Sequence, residues 1–377
     1  MEFERKHKED YPVLAICYDF DKTLSPDDMQ AQGYIQSVGY DVGQFWKESN
    51  GTAKENDMDG NLAYMYKMVR EAEGNLVFNK NALAEYGAKV QLFPGVSTWF
   101  ERIREYGKEH DVIVEHYIIS SGLKEMIEGT EIAKNGAFEK IYASSFYFNE
   151  RGVAVWPAQT INYTNKTQFL FRIEKGVLDI NDPGVNEYFP PEDIRVPFRN
   201  MVYIGDSDTD IPCMKLVNTY GGHSIGVYNP ETGDKTKVFR MTRDNRIRYY
   251  APADYSEGSE LDSLVKAIII KTAAYETLQE KHISNVKETR KAEREARAET
   301  TVRKAQALET GFSITLPDMS SITEVISKAF EGMQKMYASN LYSAVFNTLN
   351  SDPDLDDDAG DEQSEEVEAD EKETKKE

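Results

Sequence analysis

Short apolar runs alternate with helical segments from about Tyr11 to Ile270, and this alternation is the strongest constraint on the fold. Each run is continuously apolar, which is typical of strands buried in a parallel sheet. Strands that alternate with helices predict an α/β fold, a Rossmann-like parallel sheet between helical layers. Five strands are expected, at Val13–Tyr18, Val112–Ser120, Ile141–Phe148, Met201–Ile204 and Ile225–Tyr228. Helices are expected between them, at Gly95–Tyr106, Leu123–Ala133 and Lys166–Lys175.

Residues 26–92 interrupt this alternation because they contain helical patches, at Met29–Val38 and Asn61–Ala72, and no evident strand. A crossover between parallel strands requires only about a dozen residues, so the segment is longer than a connection needs. It predicts a small helical cap over the sheet, although a decorated crossover is the alternative. Residues 11–25 and 93–270 would then form a discontinuous catalytic core.

The C-terminal part differs in composition from the core. Residues 271–350 predict a helical extension, with a charged, solvated helix at Glu280–Glu309 and an amphipathic stripe within 320–349. That stripe predicts docking on the body of the protein, homo-oligomerisation or a protein partner. Residues 351–377 hold 14 acidic and 3 basic residues without aromatics, so this tail is expected to be disordered.

Charge and composition argue against several classes of function. The net charge is −22, and even without the acidic tail the chain would repel phosphate backbones, so no nucleic-acid partner is expected. The apolar runs are too short to span a bilayer, so no membrane association is expected either. A charged N-terminus and two cysteines, Cys17 and Cys213, favour a cytoplasmic protein without a disulfide framework.

Two carboxylates, Asp19 and Asp21, directly follow the first predicted strand. Side chains two positions apart at a strand end point to the same side, and like charges that close require compensation. Mg²⁺ prefers oxygen ligands and leaves coordination positions for phosphate and water, so it meets that requirement. An ordinary turn or helix cap is the simpler explanation for an isolated pair of this kind.

A second acidic motif, Gly205 to Asp210, follows the apolar run Met201–Ile204. Asp206 would project from the carboxyl end of a strand, where the active sites of open α/β sheets lie. The three alternate aspartates also resemble the start of a calcium loop. However, Ile211 and Val217 occupy the positions at which that loop requires glycine and glutamate, which disfavours this reading.

Two further residues complete the pattern. Ser120 ends the second predicted strand, where a hydroxyl could hold a phosphate oxygen, and Ser121 is the alternative for this role. A serine that caps the next helix would look the same in sequence. Lys166 opens a predicted helix, and a phosphate site rich in carboxylates requires a cation besides the metal.

The order of these motifs resembles the haloacid dehalogenase-like superfamily: Asp-x-Asp-x-Thr, strand-Ser, Lys, then Gly-Asp-x-x-x-Asp. A helical insert directly after the first motif is similar to the cap of the phosphoserine phosphatase-like members. The resemblance covers about residues 11–270. It implies a Mg²⁺-dependent phosphomonoester hydrolase that acts on a small soluble phosphorylated metabolite, because a lid of this size closes over a small molecule.

The resemblance also implies roles for individual residues. Asp19 would be the nucleophile that forms an aspartyl-phosphate, Asp21 the general acid and base, and Lys166 the cation that orients nucleophile and phosphate. The metal site would comprise Asp19, Asp21 through its carbonyl, Asp206 and, in support, Asp210. The phosphate-binding residues would be Thr23, Ser120 and Lys166. The alternatives are phosphoryl transfer to another alcohol, as in mutases, and a regulatory or interaction protein using the C-terminal helices and tail.

Overall fold

The computed structural model describes residues 3–311, 328–333 and 335–336. It confirms the predicted α/β fold, with a seven-stranded sheet in the order β4-β3-β2-β1-β5-β6-β7. All neighbouring strands are parallel except β3 and β4. The strands are β1 (Val13–Tyr18), β2 (Ile113–Leu123), β3 (Lys140–Phe148), β4 (Ala154–Gln159), β5 (Met201–Gly205), β6 (His223–Tyr228) and β7 (Tyr249–Pro252).

Helices cover the sheet and form the insert that follows β1. Those of the insert are α1 (Tyr34–Ser37), α2 (Val42–Glu55), α3 (Gly60–Ala72) and α4 (Lys80–Gly87). The later ones are α5 (Val96–Lys108), α6 (Lys124–Gly129), α7 (Glu131–Lys134), α8 (Thr167–Lys175), α9 (Ile211–Thr219), α10 (Thr236–Arg243) and α11 (Glu260–Gly311). Short 3₁₀ turns lie at Met29–Ala31, Pro183–Asn186, Phe198–Asn200 and Asp208–Asp210.

All five predicted strands are present, with ends that differ by up to three residues, but β4 and β7 were not predicted. β4 is an antiparallel edge strand that contains Pro157 and exposes Val155 and Trp156, so it lacks the continuous apolar character of its neighbours. β7 has only four residues. Prediction of strands from continuous apolar runs therefore fails for the strands at both edges of the sheet.

The predicted helix Leu123–Ala133 is two helices, because the chain is extended at Thr130. The Thr130 side chain accepts a hydrogen bond from Ala133 N and caps α7. In the insert, the predicted helix Met29–Val38 is a 3₁₀ turn followed by the single helical turn of α1. The structure adds α2 and α4, which the sequence analysis did not identify, and both begin at a capping Asp41 or Asn79 side chain.

The central strand β1 contributes to two hydrophobic cores, one on each face of the sheet. Leu14, Ile16 and Tyr18 point into the core shared with α5 and the insert, whereas Val13, Ala15 and Cys17 point into the core shared with α8 and α9. The chain passes from β1 through β2 to β3 on one side, and β5 to β7 lie on the other side. The carboxyl ends of β1 and β5 therefore form the crevice where open α/β sheets bind ligands.

The chain divides into two compact units, one up to Thr277 and one from Leu278 onwards. Helix α11 confirms the predicted charged helix at Glu280–Glu309. Most of the predicted amphipathic stripe within 320–349, and the acidic tail 351–377, lie outside the described residues. Nowhere in the described parts of the chain does a helix combine the length and apolar content needed to cross a membrane.

Candidate active site

Asp19 lies immediately after β1 and is anchored at the centre of the sheet. Its amide donates to Ile204 O of β5 at 3.0 Å, and its Oδ1 accepts from Phe20 N at 2.8 Å. The chain then turns sharply, because Phe20 O accepts hydrogen bonds from the amides of residues 23, 24 and 25. Lys22 adopts a left-handed backbone conformation in this turn, with φ of 57°. The turn fixes the first acidic motif at the crevice.

The second acidic motif approaches Asp19 from the end of β5. Asp206 follows Gly205, and the 3₁₀ turn Asp208–Asp210 returns the Asp210 side chain to the same place. A Cβ atom on Gly205 would lie 2.5 Å from Asp210 Oδ2, so glycine is required for this close approach. One carboxylate oxygen from each of Asp19, Asp206 and Asp210 lies within 4.8 Å of the others.

Lys166 is the buried cation of the site. It lies directly before α8 with no exposed side-chain surface, and its Nζ is 2.8 Å from Asp210 Oδ1 and 3.2 Å from Asp19 Oδ2. The structure therefore brings Lys166 to both acidic motifs, as the sequence analysis expected. Within residues 3–311, Lys166 is the fully buried cation beside these three carboxylates, and one ammonium alone does not balance them.

Asp210 is held by a complete set of donors. In addition to Lys166, its Oδ1 accepts from the Tyr203 hydroxyl at 2.9 Å. Its Oδ2 accepts from both the amide and the hydroxyl of Ser207, each at 3.1 Å. These four hydrogen bonds leave Asp210 suited to positioning Lys166 and the loop that carries Asp206.

Burial and mutual repulsion shift the protonation of the site. Burial raises the pKa of Asp19 to about 7, with Lys166 opposing and Asp210 and Asp206 adding to the shift. Burial and the nearby Asp210 raise the pKa of Asp206 to about 6. Burial alone would lower the pKa of Lys166, but Asp19 and Asp210 raise it above its usual range. The ammonium form of Lys166 is therefore maintained at neutral pH.

Asp21 lies between the core and the insert. Its Oδ1 accepts a hydrogen bond from Met29 N at 2.8 Å, and a Cβ atom on Gly122 would lie 2.9 Å from its Oδ2. Burial, followed by the charges of Asp28 and Asp19, raises the pKa of Asp21 well above its ordinary value. A carboxyl group held in its protonated form can donate a proton.

The structure also places the two predicted hydroxyl residues. Ser120 is buried near the end of β2, and its Oγ accepts from Gly122 N at 3.0 Å. Thr23 is buried in the turn after Asp21, and its hydroxyl has no hydrogen-bond partner within the described residues. No hydrogen bond therefore joins Thr23 to Asp21, and the phosphate-binding roles of Thr23 and Ser120 remain predictions.

Close to the site, α3 and its N-cap form polar contacts between the insert and the core. The Tyr64 hydroxyl donates to Ser121 O at 2.7 Å. Asn162 Nδ2 donates to the Asp59 carboxylate at 2.8 Å, and Asn162 O accepts from Lys166 N at 3.1 Å. The insert is thus linked by Asn162 to the turn that presents Lys166.

Two site residues were missed by the sequence analysis. Tyr203 lies on β5 between apolar residues, where an aromatic residue indicates only core packing. Lys237 lies on α10, and its Nζ donates to Asp206 Oδ2 at 3.2 Å. No motif distinguishes Lys237 from the other lysines of the chain. The position of Asp206 at a strand end indicates that its carboxylate needs a cationic partner. Which lysine provides that partner depends on how α10 packs, and the sequence does not show this.

The donor set fits a divalent cation with oxygen preference. Asp19 and Asp206 contribute buried carboxylates whose oxygens are only partly occupied by hydrogen-bond donors. The surroundings raise the pKa values of both groups. Mg²⁺ binds through one or two carboxylates and retains positions for phosphate oxygens and water. The residues present are therefore compatible with Mg²⁺.

The family model of the haloacid dehalogenase-like hydrolases matches residues 16–215, more than half of the chain. The chain belongs to this family. The match spans both acidic motifs and Lys166, and it confirms the family expected from their order. The helical insert after the first motif, which is typical of the phosphoserine phosphatase-like members, is also present in the fold.

Similar proteins were found by sequence and by structure. An uncharacterized protein of Borreliella burgdorferi is 29% identical over 273 residues, which cover 66% of this chain and 94% of that protein. A probable phosphoserine phosphatase from Vibrio cholerae has a TM-score of 0.45 at 13% identity, covering 72% of this chain and 69% of that chain. A cytosolic 5'-nucleotidase IIIB bound to cytidine has a TM-score of 0.40 at 13% identity, with coverages of 70% and 88%.

Proposed function

We propose that this protein is a Mg²⁺-dependent phosphomonoester hydrolase that acts on a small phosphorylated metabolite through an aspartyl-phosphate. The observation that supports the proposal is the convergence of Asp19, Asp206 and Lys166 at the carboxyl ends of β1 and β5. Membership of a hydrolase family supports it independently. The second carboxylate of the first motif, Asp21, favours phosphate chemistry, because family members that cleave carbon–halogen bonds lack it.

In the first step, an Asp19 carboxylate oxygen attacks phosphorus and the bond from phosphorus to the ester oxygen breaks. The protonated Asp21 carboxyl donates its proton to the leaving oxygen, which departs as an alcohol. Lys166 holds the Asp19 carboxylate in position and provides a positive charge beside the transferred group. The raised pKa of Asp21 suits this acid role.

In the second step, the Asp21 carboxylate accepts a proton from water as the water oxygen attacks phosphorus. The bond between phosphorus and the Asp19 oxygen then breaks, which releases inorganic phosphate and restores both carboxyl groups. Asp19 and Asp206, with the Asp21 carbonyl, would hold Mg²⁺. When bound, the ion offsets the repulsion between anionic nucleophile and anionic substrate. Asp210 positions Lys166 through the 2.8 Å ion pair.

The proposal is tested by measuring hydrolysis of p-nitrophenyl phosphate with and without Mg²⁺, for the wild type and for Asp19→Asn. We expect turnover that requires Mg²⁺ and falls by at least about a thousandfold in Asp19→Asn, because the nucleophile is lost. Asp206→Asn and Asp208→Asn form a matched pair. Asp208 is exposed and paired with Arg240, so only Asp206→Asn is expected to raise the Mg²⁺ concentration required.

Folding of each variant is checked by circular dichroism before activity is compared. If Asp19→Asn retained wild-type turnover, the aspartyl-phosphate route would be wrong. If the folded wild type hydrolysed neither p-nitrophenyl phosphate nor a panel of small phosphorylated metabolites, the hydrolase assignment itself would be contradicted. Equal Mg²⁺ requirements in Asp206→Asn and wild type would remove Asp206 from the metal site.

A further inference from the structure

Asp206 carries a cation that the motifs do not account for. Lys237, the second residue of α10, places its Nζ 3.2 Å from Asp206 Oδ2. Among residues 3–311, the cations within ion-pair distance of Asp19, Asp206 and Asp210 are Lys166 and Lys237. The two lysines thus divide the three carboxylates between them.

The two lysines differ in how firmly the protein holds them. The Lys166 side chain is fully buried and contacts two carboxylates, so it has no route to solvent without disrupting the site. The Lys237 side chain is 44% exposed, and the ion pair that its Nζ forms within the described residues is with Asp206, whose own side chain is 12% exposed. A long, flexible ammonium side chain at the surface can therefore leave Asp206 and become hydrated at little cost.

We propose that Lys237 is the counter-ion that a divalent cation displaces from Asp206. The inference rests on the metal site of the proposed function. In the exchange, the Asp206 carboxylate would lose the Lys237 N–H donor and hold the divalent ion, while the ammonium keeps its proton and moves into solvent. Lys237 compensates Asp206 in the metal-free protein and lowers the affinity of the site for the metal.

Removing the Lys237 charge is expected to strengthen metal binding for two reasons of the same sign. The metal no longer competes with an ion pair, and a positive charge beside the site is lost. Because exposed ion pairs and charges in high dielectric contribute modestly, Lys237→Met is expected to bind Mg²⁺ about two- to tenfold more tightly. Lys237→Arg keeps the charge and is expected to remain within about twofold of the wild type.

Arg240 provides a matched control on the same helix. It lies three residues after Lys237, its side chain is 50% exposed, and it pairs with both oxygens of Asp208 at 2.7 Å. Asp208 is not among the three clustered carboxylates. Arg240→Met therefore removes an exposed positive charge that pairs with a carboxylate outside the cluster, and its Mg²⁺ affinity is expected to stay within about twofold of the wild type.

The experiment is isothermal titration of the full-length wild type and the three variants with MgCl₂ and, separately, with MnCl₂, without substrate. Tighter binding by Lys237→Met alone supports the proposal. Equal or weaker binding by Lys237→Met overturns it, as does the same gain in Arg240→Met, which would indicate a general charge effect. Thermal unfolding without metal checks that each variant is folded.

These outcomes are separable from failure of the proposed function. The wild-type isotherm reports whether the site binds a divalent ion at all. The ratio of the dissociation constants of Lys237→Met and wild type reports whether the ion displaces Lys237. A wild type that binds neither ion overturns the exchange and the Mg²⁺ site together. Binding without any change in Lys237→Met overturns the exchange alone.

Discussion

The chemistry of the site depends on which carboxylate oxygens remain free of strong partners. Both oxygens of Asp210 are occupied by four hydrogen bonds within the protein. Asp206 instead has an exposed lysine as its ion-pair partner, and Asp19 has Lys166 and a backbone amide. Asp206 and Asp210 are four positions apart and have the same side chain, but the neighbours of Asp210 occupy both of its oxygens, whereas those of Asp206 leave its carboxylate freer to bind a metal ion.

Gly122→Ala is predicted to impair the acid and base steps without removing any functional group. An added methyl group would lie 2.9 Å from Asp21 Oδ2 and would clash with the Met29 side chain, so Asp21 must move. General acid and base catalysis contributes about 10²–10⁴-fold, so we expect kcat to fall by at least about tenfold. The fall in kcat should be larger with an alkyl phosphate than with p-nitrophenyl phosphate, because the p-nitrophenolate leaving group requires less protonation.

The control for this substitution is Gly51→Ala. Gly51 lies in α2, and nothing within 4 Å would contact the added methyl group. Its kcat should match the wild type, and its stability should rise by up to about 1 kcal/mol because alanine favours a helix. An equal loss with both substrates in Gly122→Ala would argue against displacement of Asp21 as the cause.

Among the secondary-structure elements, the helical insert shares a hydrophobic core with the sheet, and a few polar contacts also join the two close to the site. Helix α3 begins at Asp59, whose carboxylate caps the helix and also accepts from Asn162. Further along α3, Tyr64 reaches the carbonyl of Ser121 at the end of β2. These contacts place the insert against the end of β2, which carries Ser120, and against the turn before α8, which carries Lys166.

Tyr64→Phe is predicted to weaken the attachment of the insert. The substitution removes the 2.7 Å hydrogen bond to Ser121 O and leaves that carbonyl without this donor, at a cost of about 1 kcal/mol in unfolding free energy. Urea denaturation measures the loss. Tyr66→Phe, on the exposed face of the same helix, is the control and should change stability by less than about 0.5 kcal/mol.

How far the elements could be predicted depended on burial. The central strands β1, β2, β5 and β6 were predicted because both of their faces are buried, which leaves continuous apolar runs. The edge strand β4 carries exposed Trp156 and could not be recognised in this way. The acidic motifs and Lys166 were found because each marks a strand end or helix start, whereas Lys237 and Tyr203 depend on tertiary packing.

At the scale of the whole molecule, a buried ionic network joins distant parts of the chain. Arg195 is fully buried at its side chain and forms two hydrogen bonds with Glu115 of β2, at 2.7 and 2.8 Å. It also pairs with Glu9, while Lys6 pairs with Glu115 at 2.8 Å. These partners are separated by 80 to 186 residues in sequence, so no local pattern indicates the network.

Glu115→Gln is predicted to destabilise the protein by about 3–5 kcal/mol, because it leaves the buried Arg195 without its main charge partner. Glu139 offers the control, since it pairs with the same Lys6 at 2.7 Å but is 33% exposed. Glu139→Gln should cost no more than about 1 kcal/mol. Both values are measured by urea denaturation at neutral pH.

The same two variants, Glu115→Gln and Glu139→Gln, test how the free energy of unfolding depends on pH. Burial alone would raise the pKa of Glu115, but the hydrogen bonds and charge of Arg195 lower it to about 2, from 4.5. The carboxylate therefore stabilises the fold fully above pH 4.5. This contribution falls by up to about 1.4 kcal/mol per pH unit as the pH drops from 4.5 towards 2, because only the unfolded state binds the proton. The difference in unfolding free energy between wild type and Glu115→Gln should consequently decrease as the pH falls from 4.5 towards 2. A difference that stayed constant from pH 7 to pH 3 would show that Glu115 does not contribute through its charge, whereas the difference for Glu139→Gln should be small throughout.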